Sequence, residues 1–528
     1  MEQRFVRSLL KPVAYPEPTG SVELIQTHVS YIFLTDGFAY KVKKPVDFGF
    51  LNFSTLDRRR FYCDEEVRLN RRLCPAIYLG VVEVRETAPG GAAFFGDGRI
   101  IDYAVKMKRL PAERMLDRLL AEGRIGEGEI RAIARTVADF HRQAERSPEI
   151  DSGGTLETVR ANWTENFQQA RDFRGITLSK QDFRCITEWV ERFLAENAAL
   201  FSERIAGGFI CDGDGDLHME NICLGEAGDI CIFDCIEFNT RFRYGDTAAD
   251  IAFLLMDLDF SGKADFGAAF LDEYVRATGD EGIVQVVDFY KVYRAYVRGK
   301  VESLRLFDRQ IPGDEREQAR ERASRYFRLA RGYVLRRSLP LSLIMTCGLT
   351  GSGKSFAARE LAFELGLEIA ASDMIRKKLA GIPPSTRCIE GYGEGLYAAG
   401  LTARTYRELL RRAEESLAAG RSIIIDATFR HAADRRPFRE LAGRFGVSLY
   451  IIHTICPEEL VRARLAARQG NPDEPSDGRW EVHLLQQHDF EPPGSDEGNL
   501  VTIDSSNRAN IIADELLAGM GIPLCGRD

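Results

Sequence analysis

Apolar and polar residues follow different patterns in successive parts of the chain. Near the N-terminus, VELIQTHVSYIFLTDGFAYKVKK contains two β-branched and aromatic runs separated by Thr-Asp-Gly, which predicts two strands joined by a hairpin. The next stretch, TLDRRRFYCDEEVRLNRRL, has the apolar spacing of a helix. Residues 1–110 are therefore predicted to be rich in strands, with one helix.

From residue 111 to residue 337 the pattern becomes helical. Apolar residues recur three and four positions apart in EIRAIARTVADFHRQAER and CITEWVERFLAENAALF, as in amphipathic helices. A further helix is predicted for DEREQARERASRYFRLARGYVLRR, with an apolar stripe made of Ala319, Ala323, Tyr326, Ala330 and Tyr333. Arginines gather at its C-terminal end, where the helix dipole favours cations, and we expect a solvated face rather than a nucleic-acid site.

A third pattern begins after Leu339 and Pro340. The apolar runs LSLIMTC, SIIID and SLYIIHTI alternate with helical segments, which is typical of a mostly parallel sheet with helices on both faces. The segment RQGNPDEPSDG is predicted to be a mobile loop. We place the main boundary near residue 338, so that the predicted domains are 1–110, 111–337 and 338–528.

Composition and charge narrow the class of protein. With 528 residues, 45% hydrophobic and 29% charged, the chain suits two or three globular domains. The net charge of −9 disfavours unspecific binding to nucleic acid. Neither a membrane-spanning run nor a signal-peptide pattern is found, so we expect a cytoplasmic protein without a membrane partner. Eleven scattered cysteines favour reduced, buried thiols over disulfides or zinc.

The sequence GLTGSGKS matches the phosphate-loop pattern GxxxxGK[ST], with an apolar strand before it and a helix after it. The phosphates of a nucleotide need backbone N–H groups at close range, which the glycines Gly348, Gly351 and Gly353 allow, and the helix N-terminus adds positive potential. Lys354 is expected to reach the β- and γ-phosphates and Ser355 to hold Mg²⁺.

Other residues of the C-terminal part suit phosphoryl transfer. Asp373 and Arg376 lie one helical turn apart in SDMIRKKL, where a carboxylate can accept a proton from an attacking hydroxyl and a guanidinium can hold a phosphate. Asp373 is alternatively a helix cap together with Ser372. Asp426 ends the strand RSIIID, where the carboxylate associated with Mg²⁺ is expected in phosphate-loop enzymes.

Arg464 and Arg468 lie four residues apart on one helix face, where they either neutralise a transferring phosphoryl group or form a solvated face. The segments GLTGSGKS, SDMIRKKL, DATF and RLAAR together resemble small P-loop kinases, a family that includes polynucleotide 5′-hydroxyl kinases, zeta-toxin-like kinases and gluconate-kinase-like enzymes. The resemblance implies γ-phosphoryl transfer from ATP or GTP to a hydroxyl, with Asp373 as base, Arg376 at the acceptor or phosphate and both arginines in the lid. It leaves the acceptor open, as a small molecule or an RNA end.

A second polar stretch, GDGDLHMENICLGEAGDICIFDC, lies in the helical part of the chain. Its spacing predicts two hairpin strands, ENICLG and DICIFDC, which bring Asn221 and Asp234 to the same side. Asp216, His218, Asn221 and Asp234 resemble the catalytic segment of the aminoglycoside-phosphotransferase-like branch of the protein-kinase fold. By this resemblance Asp216 is the catalytic carboxylate, and Asn221 and Asp234 hold Mg²⁺.

The resemblance also requires a lysine and a glutamate from the N-terminal part. FAYKVKK offers Lys41 and, on the same strand face, Lys43; DEEVRLN offers Glu66 or Glu65. With these residues, ATP would be bound by the N-terminal domain as well.

Two features depart from the family pattern. Asp214 replaces the usual histidine, and its charge beside Asp216 is expected to raise the pKa of one of the two carboxyls unless a cation intervenes. No glycine-rich loop precedes the lysine, because THVSYIFLTDG occupies that place. The N-terminal domain is therefore either a second kinase or an inactive module for recognition or regulation.

Over nearly its full length, the chain resembles bacterial fusions of an aminoglycoside-phosphotransferase-like domain with a P-loop ATP-binding kinase domain, as in KVKKPVDFGFLNFSTL and FDCIEFNTRFRYGDTAADIAFLLMDL. In the latter segment, Glu237, Asp246 and Asp250 are expected to brace the loop or cap a helix. The implied fold is an α+β, two-lobed kinase-like domain followed by an α/β P-loop domain. The implied function is ATP-dependent phosphotransfer, with a nucleotide-dependent switch as the alternative.

Overall fold

The chain divides into two compact units, formed by Met1–Asn166 with Phe193–Arg294 and by Phe167–Arg192 with Ala295–Asp528. The computed structural model describes residues 2–49, 51–87, 90–226, 228–307, 311–383, 386, 395–469 and 478–522. The three domains predicted from the sequence stay a prediction. Most of the predicted mobile loop RQGNPDEPSDG lies outside the described residues.

The described residues contain nineteen α-helices and fifteen strands. The helices are α1 (Glu2–Leu9), α2 (Leu56–Asn70), α3 (Leu116–Ala121), α4 (Glu127–Gln143), α5 (Pro148–Asp151), α6 (Leu156–Gln169), α7 (Lys180–Glu196), α8 (Ala198–Ala206), α9 (Thr247–Phe260), α10 (Ala264–Thr278), α11 (Val287–Leu304), α12 (Gly313–Leu335), α13 (Lys354–Leu365), α14 (Ser372–Leu379), α15 (Ala399–Ala418), α16 (Ala432–Phe445), α17 (Glu458–Gln469), α18 (Trp480–His488) and α19 (Ala509–Gly519). The strands are β1 (Glu23–Gln26), β2 (Ser30–Leu34), β3 (Phe38–Lys43), β4 (Tyr78–Glu86), β5 (Ala92–Ala93), β6 (Ile100–Lys108), β7 (Ile210–Asp212), β8 (Ile222–Leu224), β9 (Ile230–Ile232), β10 (Tyr244–Asp246), β11 (Ser342–Cys347), β12 (Glu368–Ala371), β13 (Ile423–Asp426), β14 (Ser448–Ile455) and β15 (Asn499–Asp504).

The first unit contains an antiparallel six-stranded sheet with the order β1-β2-β3-β6-β4-β5. The predicted hairpin is confirmed, because β2 and β3 pair with Ser30 opposite Lys43. The run before it is two strands rather than one, since β1 and β2 also pair antiparallel. The predicted helix is α2, whose N-terminus is capped by the Thr55 side chain. A sheet of this kind does not by itself show the two-lobed kinase-like fold, which stays a proposal.

A small hairpin carries two of the predicted site residues. Strands β8 and β9 pair antiparallel with Ile222 opposite Ile232, which confirms the pairing predicted for ENICLG and DICIFDC. The N–H of Phe233 donates to the carbonyl of Asn221 over 3.0 Å. Asn221 and Asp234 therefore leave the hairpin at the same end.

The second unit contains five parallel strands in the order β12-β13-β11-β14-β15, which confirms the predicted parallel sheet. The three predicted strands are β11, β13 and β14. Strands β12 and β15 were missed: β12, Glu-Ile-Ala-Ala, is too short and alanine-rich to give a strand signal, and it is held by its pairing with β13.

Helix α12 confirms the predicted apolar stripe, because the five residues of the stripe are all buried: Ala319, Ala323, Tyr326, Ala330 and Tyr333. The expected solvated arginine face is wrong for Arg328 and Arg331. Arg328 pairs with Glu360 and Glu364. The guanidinium of Arg331 lies 3.0 to 3.1 Å from three carboxylates, those of Asp182, Glu364 and Asp514. These partners come from other helices, so the local pattern of α12 does not reveal them.

The expectation of reduced thiols is wrong for Cys74 and Cys231, which form a disulfide across a separation of 157 residues. Both lie in a buried apolar cluster with Val67, Tyr78 and Val105. No short-range spacing signals this pairing, because the fold alone brings the two residues together.

Within the described ranges, no helix is both long and apolar enough to cross a membrane.

Replacement of Arg331 by Met is predicted to lower the free energy of unfolding of the second unit by about 3 kcal/mol, because buried carboxylates lose their counter-charge. Chemical denaturation of the full chain measures the change. The control is Arg320→Met on the same helix, where an exposed ion pair with Glu317 is worth at most about 0.5 kcal/mol. Equal effects of the two substitutions would contradict the buried-charge account.

Candidate functional site

The phosphate-loop motif lies at the carboxyl edge of the parallel sheet. Strand β11 ends at Cys347 and α13 begins at Lys354, so the motif forms the turn from strand to helix. Strands β12 and β13 end at the same edge, where Ala371 lies opposite Asp426. Open α/β sheets bind their ligands at this edge.

The glycines of the motif have backbone conformations that other residues rarely adopt. The φ angles of Gly348, Gly351 and Gly353 are 145°, 83° and 94°. A Cβ atom added to Gly353 would lie 2.5 Å from the side chain of Ser505, and one added to Gly351 would lie 2.8 Å from Val461. The loop therefore leaves no room for side chains at Gly351 and Gly353, and its backbone N–H groups can approach a phosphate closely.

Lys354 is buried at the first position of α13. Its Nζ donates a hydrogen bond to the carbonyl of Leu349 over 2.8 Å. The ammonium group therefore lies across the phosphate loop. Ser355, the expected Mg²⁺ ligand, follows it and is half-buried.

Asp426 is buried at the end of β13, and its Oδ1 accepts a hydrogen bond from Thr346 Oγ1 over 2.9 Å. This bond fixes the carboxylate beside the strand that leads into the loop. Hydroxyl and carboxylate oxygens are hard ligands that suit Mg²⁺, so Ser355 and Asp426 fit the ion chemically.

Helix α14 begins at Ser372, with Ala371 in the N-cap position and no capping bond from a side chain there. Asp373 lies in the first turn of this helix at the carboxyl edge, and its two expected roles, as base or as helix cap, both stay predictions. Arg376 is buried, and its Nη1 donates to the carbonyl of Leu396 and to Thr402 Oγ1, over 3.1 and 2.9 Å. Its guanidinium binds the start of α15, so a role at a phosphate stays a prediction.

Arg464 lies beside the phosphate loop. It donates to Ser505 Oγ over 2.9 Å and to the Ser505 carbonyl over 2.6 Å, and Ser505 is the residue that crowds the Cβ position of Gly353. The side chain of Arg468 lies outside the described residues. The lid role of both arginines stays a prediction.

Two residues that contact the phosphate loop were not predicted from the sequence. Thr454 Oγ1 lies 2.7 Å from Ser352 Oγ, and Ser505 is bound to Arg464 as described. Neither belongs to a motif. Both lie at the C-terminal ends of parallel strands, β14 and β15, and this position is the signal that could have found them.

In the first unit, the structure brings four of the predicted residues together. Lys41 Nζ lies 2.9 Å from Glu66 Oε1 and also bonds to Asp234. Lys43 Nζ lies 2.6 Å from the other oxygen of Glu66. Of the two glutamates considered, Glu66 is therefore the partner, while Glu65 pairs with Arg68.

The charges of this cluster support one another. Burial raises the pKa of Glu66, but Lys41 and Lys43 outweigh it and lower the pKa to about 2. Burial lowers the pKa of Lys41, but Asp234 and Glu66 raise it well above its usual value. The ion pair between Lys41 and Glu66 consequently stays charged at neutral pH.

The loop with Asp216 is organised by its neighbours. Asn221 Nδ2 donates to the carbonyl and to Oδ2 of Asp216, over 3.1 and 3.3 Å. Asp250 accepts from the N–H groups of Asp214 and Gly215, which confirms that it braces the loop.

Two other acidic residues had an expected structural role. Asp246 is confirmed as the cap of α9, because its side chain accepts from the N–H of Ala248. Glu237 is buried and pairs with Lys43, and its expected role as a brace or cap stays a prediction.

Asp214 confirms the predicted conflict between carboxyl groups. Burial raises its pKa well above the usual value, and the neighbouring charges of Asp250 and Asp216 raise it further. Its Oδ2 is buried and has no hydrogen-bond partner among the described residues. A proton on this oxygen removes the repulsion, so Asp214 favours the neutral acid.

Comparison with known proteins shows the family to which the chain belongs. An uncharacterized protein of Mycobacterium tuberculosis (strain H37Rv) is 31% identical over 449 residues, which cover 85% of this chain and 86% of that protein. A protein of Mycobacterium bovis gives the same values. The chain belongs to the same family as these mycobacterial proteins. Residues 343–493 also match the model of a family described as an AAA domain.

The domain match includes the phosphate loop, so the C-terminal P-loop domain is confirmed. Among solved structures, a sugar kinase from Janibacter sp. HTCC2649 is 23% identical with a TM-score of 0.27, covering 35% of this chain and 97% of its own. An APS kinase of Mycobacterium tuberculosis is 17% identical with a TM-score of 0.24, covering 35% and 99%. The kinase-like resemblance of the N-terminal part stays a prediction.

Asp214→Asn is predicted to stabilise the first unit increasingly as pH rises from about 4 towards neutral. In this window the unfolded chain releases the Asp214 proton while the folded chain retains it, so the wild type loses stability with pH and the Asn variant does not. Denaturant unfolding at several pH values measures this difference. The control is Asp229→Asn at an exposed position. A difference between Asp214→Asn and wild type that is independent of pH would contradict the account.

Proposed function

We propose that the C-terminal P-loop domain transfers the γ-phosphoryl group of ATP or GTP to a hydroxyl-bearing acceptor. The observation that carries this proposal is the glycine turn of β11 into α13, which excludes side chains at Gly351 and Gly353 and ends in Lys354 at the helix N-terminus. Such a turn is suited to a chain of phosphates and to few other ligands.

Each residue around the turn has its own role in phosphoryl transfer. Loop N–H groups bind the phosphates, and Lys354 exchanges the Leu349 carbonyl for a phosphate oxygen. Asp373 accepts the proton of the acceptor hydroxyl. At the same time the hydroxyl oxygen of the acceptor forms a bond to the γ-phosphorus, and the bond between this phosphorus and the nucleoside diphosphate breaks. Ser355 and Asp426 would hold Mg²⁺, which neutralises phosphate charge when bound.

A second phosphoryl-transfer site in the first unit is favoured by the cluster of Lys41, Glu66 and Asp234 and by the contact between Asp216 and Asn221. Buried charges are costly and are often kept for function. In this proposal Lys41 binds phosphate, Asn221 and Asp234 would hold Mg²⁺, and Asp216 faces the acceptor. The rivals are a recognition module without catalysis and a nucleotide-dependent switch.

The acceptor is a small molecule or an RNA end. A polynucleotide 5′-hydroxyl kinase would label an oligonucleotide that carries a free 5′-hydroxyl, with a marked dependence on salt. A small-molecule kinase would label a low-molecular-weight product instead. A switch would release only free phosphate.

Lys354→Met is predicted to abolish one labelled product when the full chain is incubated with γ-labelled ATP and cell extract, because the ammonium that holds the β- and γ-phosphates is lost. Chromatography of the products measures the effect. The control is Lys378→Met, an exposed lysine of α14. Unchanged labelling in the Lys354 variant would refute the proposed C-terminal activity.

Asp216→Asn distinguishes two active sites from one. If both units transfer phosphate, this variant loses about 100-fold or more of a product that Lys354→Met retains, because the amide cannot accept the acceptor's proton. The same labelling assay gives the answer, with Asp265→Asn as an exposed control. An unchanged set of products would show that the first unit is not a second kinase.

A further inference from the structure

Helix α18 hydrogen-bonds to Thr350 of the phosphate loop and engages both backbone groups of this residue. The N–H of Thr350 donates to Gln486 Oε1 over 2.9 Å. The carbonyl of Thr350 lies 2.7 Å from His483 Nδ1. Because a carbonyl can only accept, the Nδ1 atom of His483 carries the hydrogen of this bond.

The two side chains are built into the structure rather than lying on its surface. His483 and Gln486 are only 5% and 7% exposed, and they lie three residues apart on one helix face. Their sequence neighbours Gln487 and His488 are exposed. Helix α18 thus carries one buried and one exposed histidine, and one buried and one exposed glutamine.

The ring of His483 has a fixed orientation. Trp480 stacks on it, with ring centroids 5.1 Å apart and an angle of 11° between the planes. The guanidinium of Arg462, on α17, lies 5.8 Å from the centre of the Trp480 ring. Packing between α17 and α18 therefore aims the Nδ1–H of His483 at the loop.

Peptide planarity gives these bonds a consequence for phosphate binding. The Thr350 carbonyl and the Gly351 N–H belong to one planar group and point in opposite directions. The Thr350 N–H belongs to the preceding group. Fixing both groups of Thr350 therefore orients the peptides on either side of it, including the first N–H of the segment Gly351–Lys354.

We propose that His483 and Gln486 are positioning residues of the phosphate loop. They hold the backbone N–H groups of the loop in the orientation that a nucleoside triphosphate requires. This inference rests on the proposed function of the C-terminal domain. A loop that is ordered before binding loses less conformational entropy when the ligand arrives, so the effect is on nucleotide affinity.

Helix α17 acts at the other end of the same loop. Its Arg464 holds Ser505, which lies against Gly353. The packed pair of α17 and α18 thus supports the loop at Thr350 and near Gly353. The proposed positioning role concerns the α18 end of this support.

The test is a calorimetric titration of full-length protein with Mg²⁺–ATP. His483→Phe keeps a ring for the stack on Trp480 but removes the donor, and Gln486→Met keeps the length but removes the acceptor. Each variant is predicted to weaken binding about fivefold to tenfold, the worth of one hydrogen bond. His483→Asn, whose Nδ2 lies as many bonds from Cα as Nδ1, is predicted to stay within about twofold of wild type.

The matched controls are His488→Phe and Gln487→Met, which change the same residue types on the exposed face. Thermal unfolding is recorded for every variant. Wild-type affinity in both test variants would overturn the inference, as would an Asn variant as weak as the Phe variant. Unfolding of the second unit by both substitutions would also overturn it, since the two side chains would then serve the fold. No binding by the wild type would instead remove the proposed function, and this inference with it.

Discussion

The parallel register of β11, β12 and β13 is the constraint on which the C-terminal site depends. It sets the strand ends side by side, so that the turn after β11, Asp426 and the start of α14 meet at one edge. The hydrogen bond from Thr346 to Asp426 ties two of these strand ends together. Residues that are 80 positions apart in the chain thereby become a single site.

The glycine turn has little freedom within this frame. Ser505 and Val461 occupy the space where side chains at Gly353 and Gly351 would lie. Thr454 holds Ser352 from the next strand. The turn is thus shaped by the elements that surround it as well as by its own glycines, and a phosphate meets a loop whose shape is already set.

The first unit uses a different physical device, a set of buried charges. Lys41, Lys43, Glu66 and Glu237 balance one another, with Asp234 at the more exposed end. Burying the charges of Lys43, Glu66 and Glu237 is rarely the most stable solution for a core, because desolvation costs more than most ion pairs return. Such a cluster is better explained by a function than by stability, and this reasoning underlies the proposal of a second site.

Sequence patterns predicted those features that depend on neighbouring residues. They found the hairpin of β2 and β3, the helix capped by Thr55, the phosphate loop and the hairpin that presents Asn221 and Asp234. They missed the disulfide of Cys74 and Cys231 and the partners of Arg331 and Glu237. These contacts join distant segments, and only the folded chain brings their atoms together.

The central claim is that the turn from β11 into α13 binds the phosphates of a nucleotide. A crystal structure of the full chain grown with Mg²⁺ and a non-hydrolysable ATP analogue tests it most directly. The account predicts phosphate density within the turn and a Lys354 ammonium that has moved from the Leu349 carbonyl to a phosphate oxygen. An empty turn at saturating analogue, with Lys354 still bound to Leu349, would contradict it.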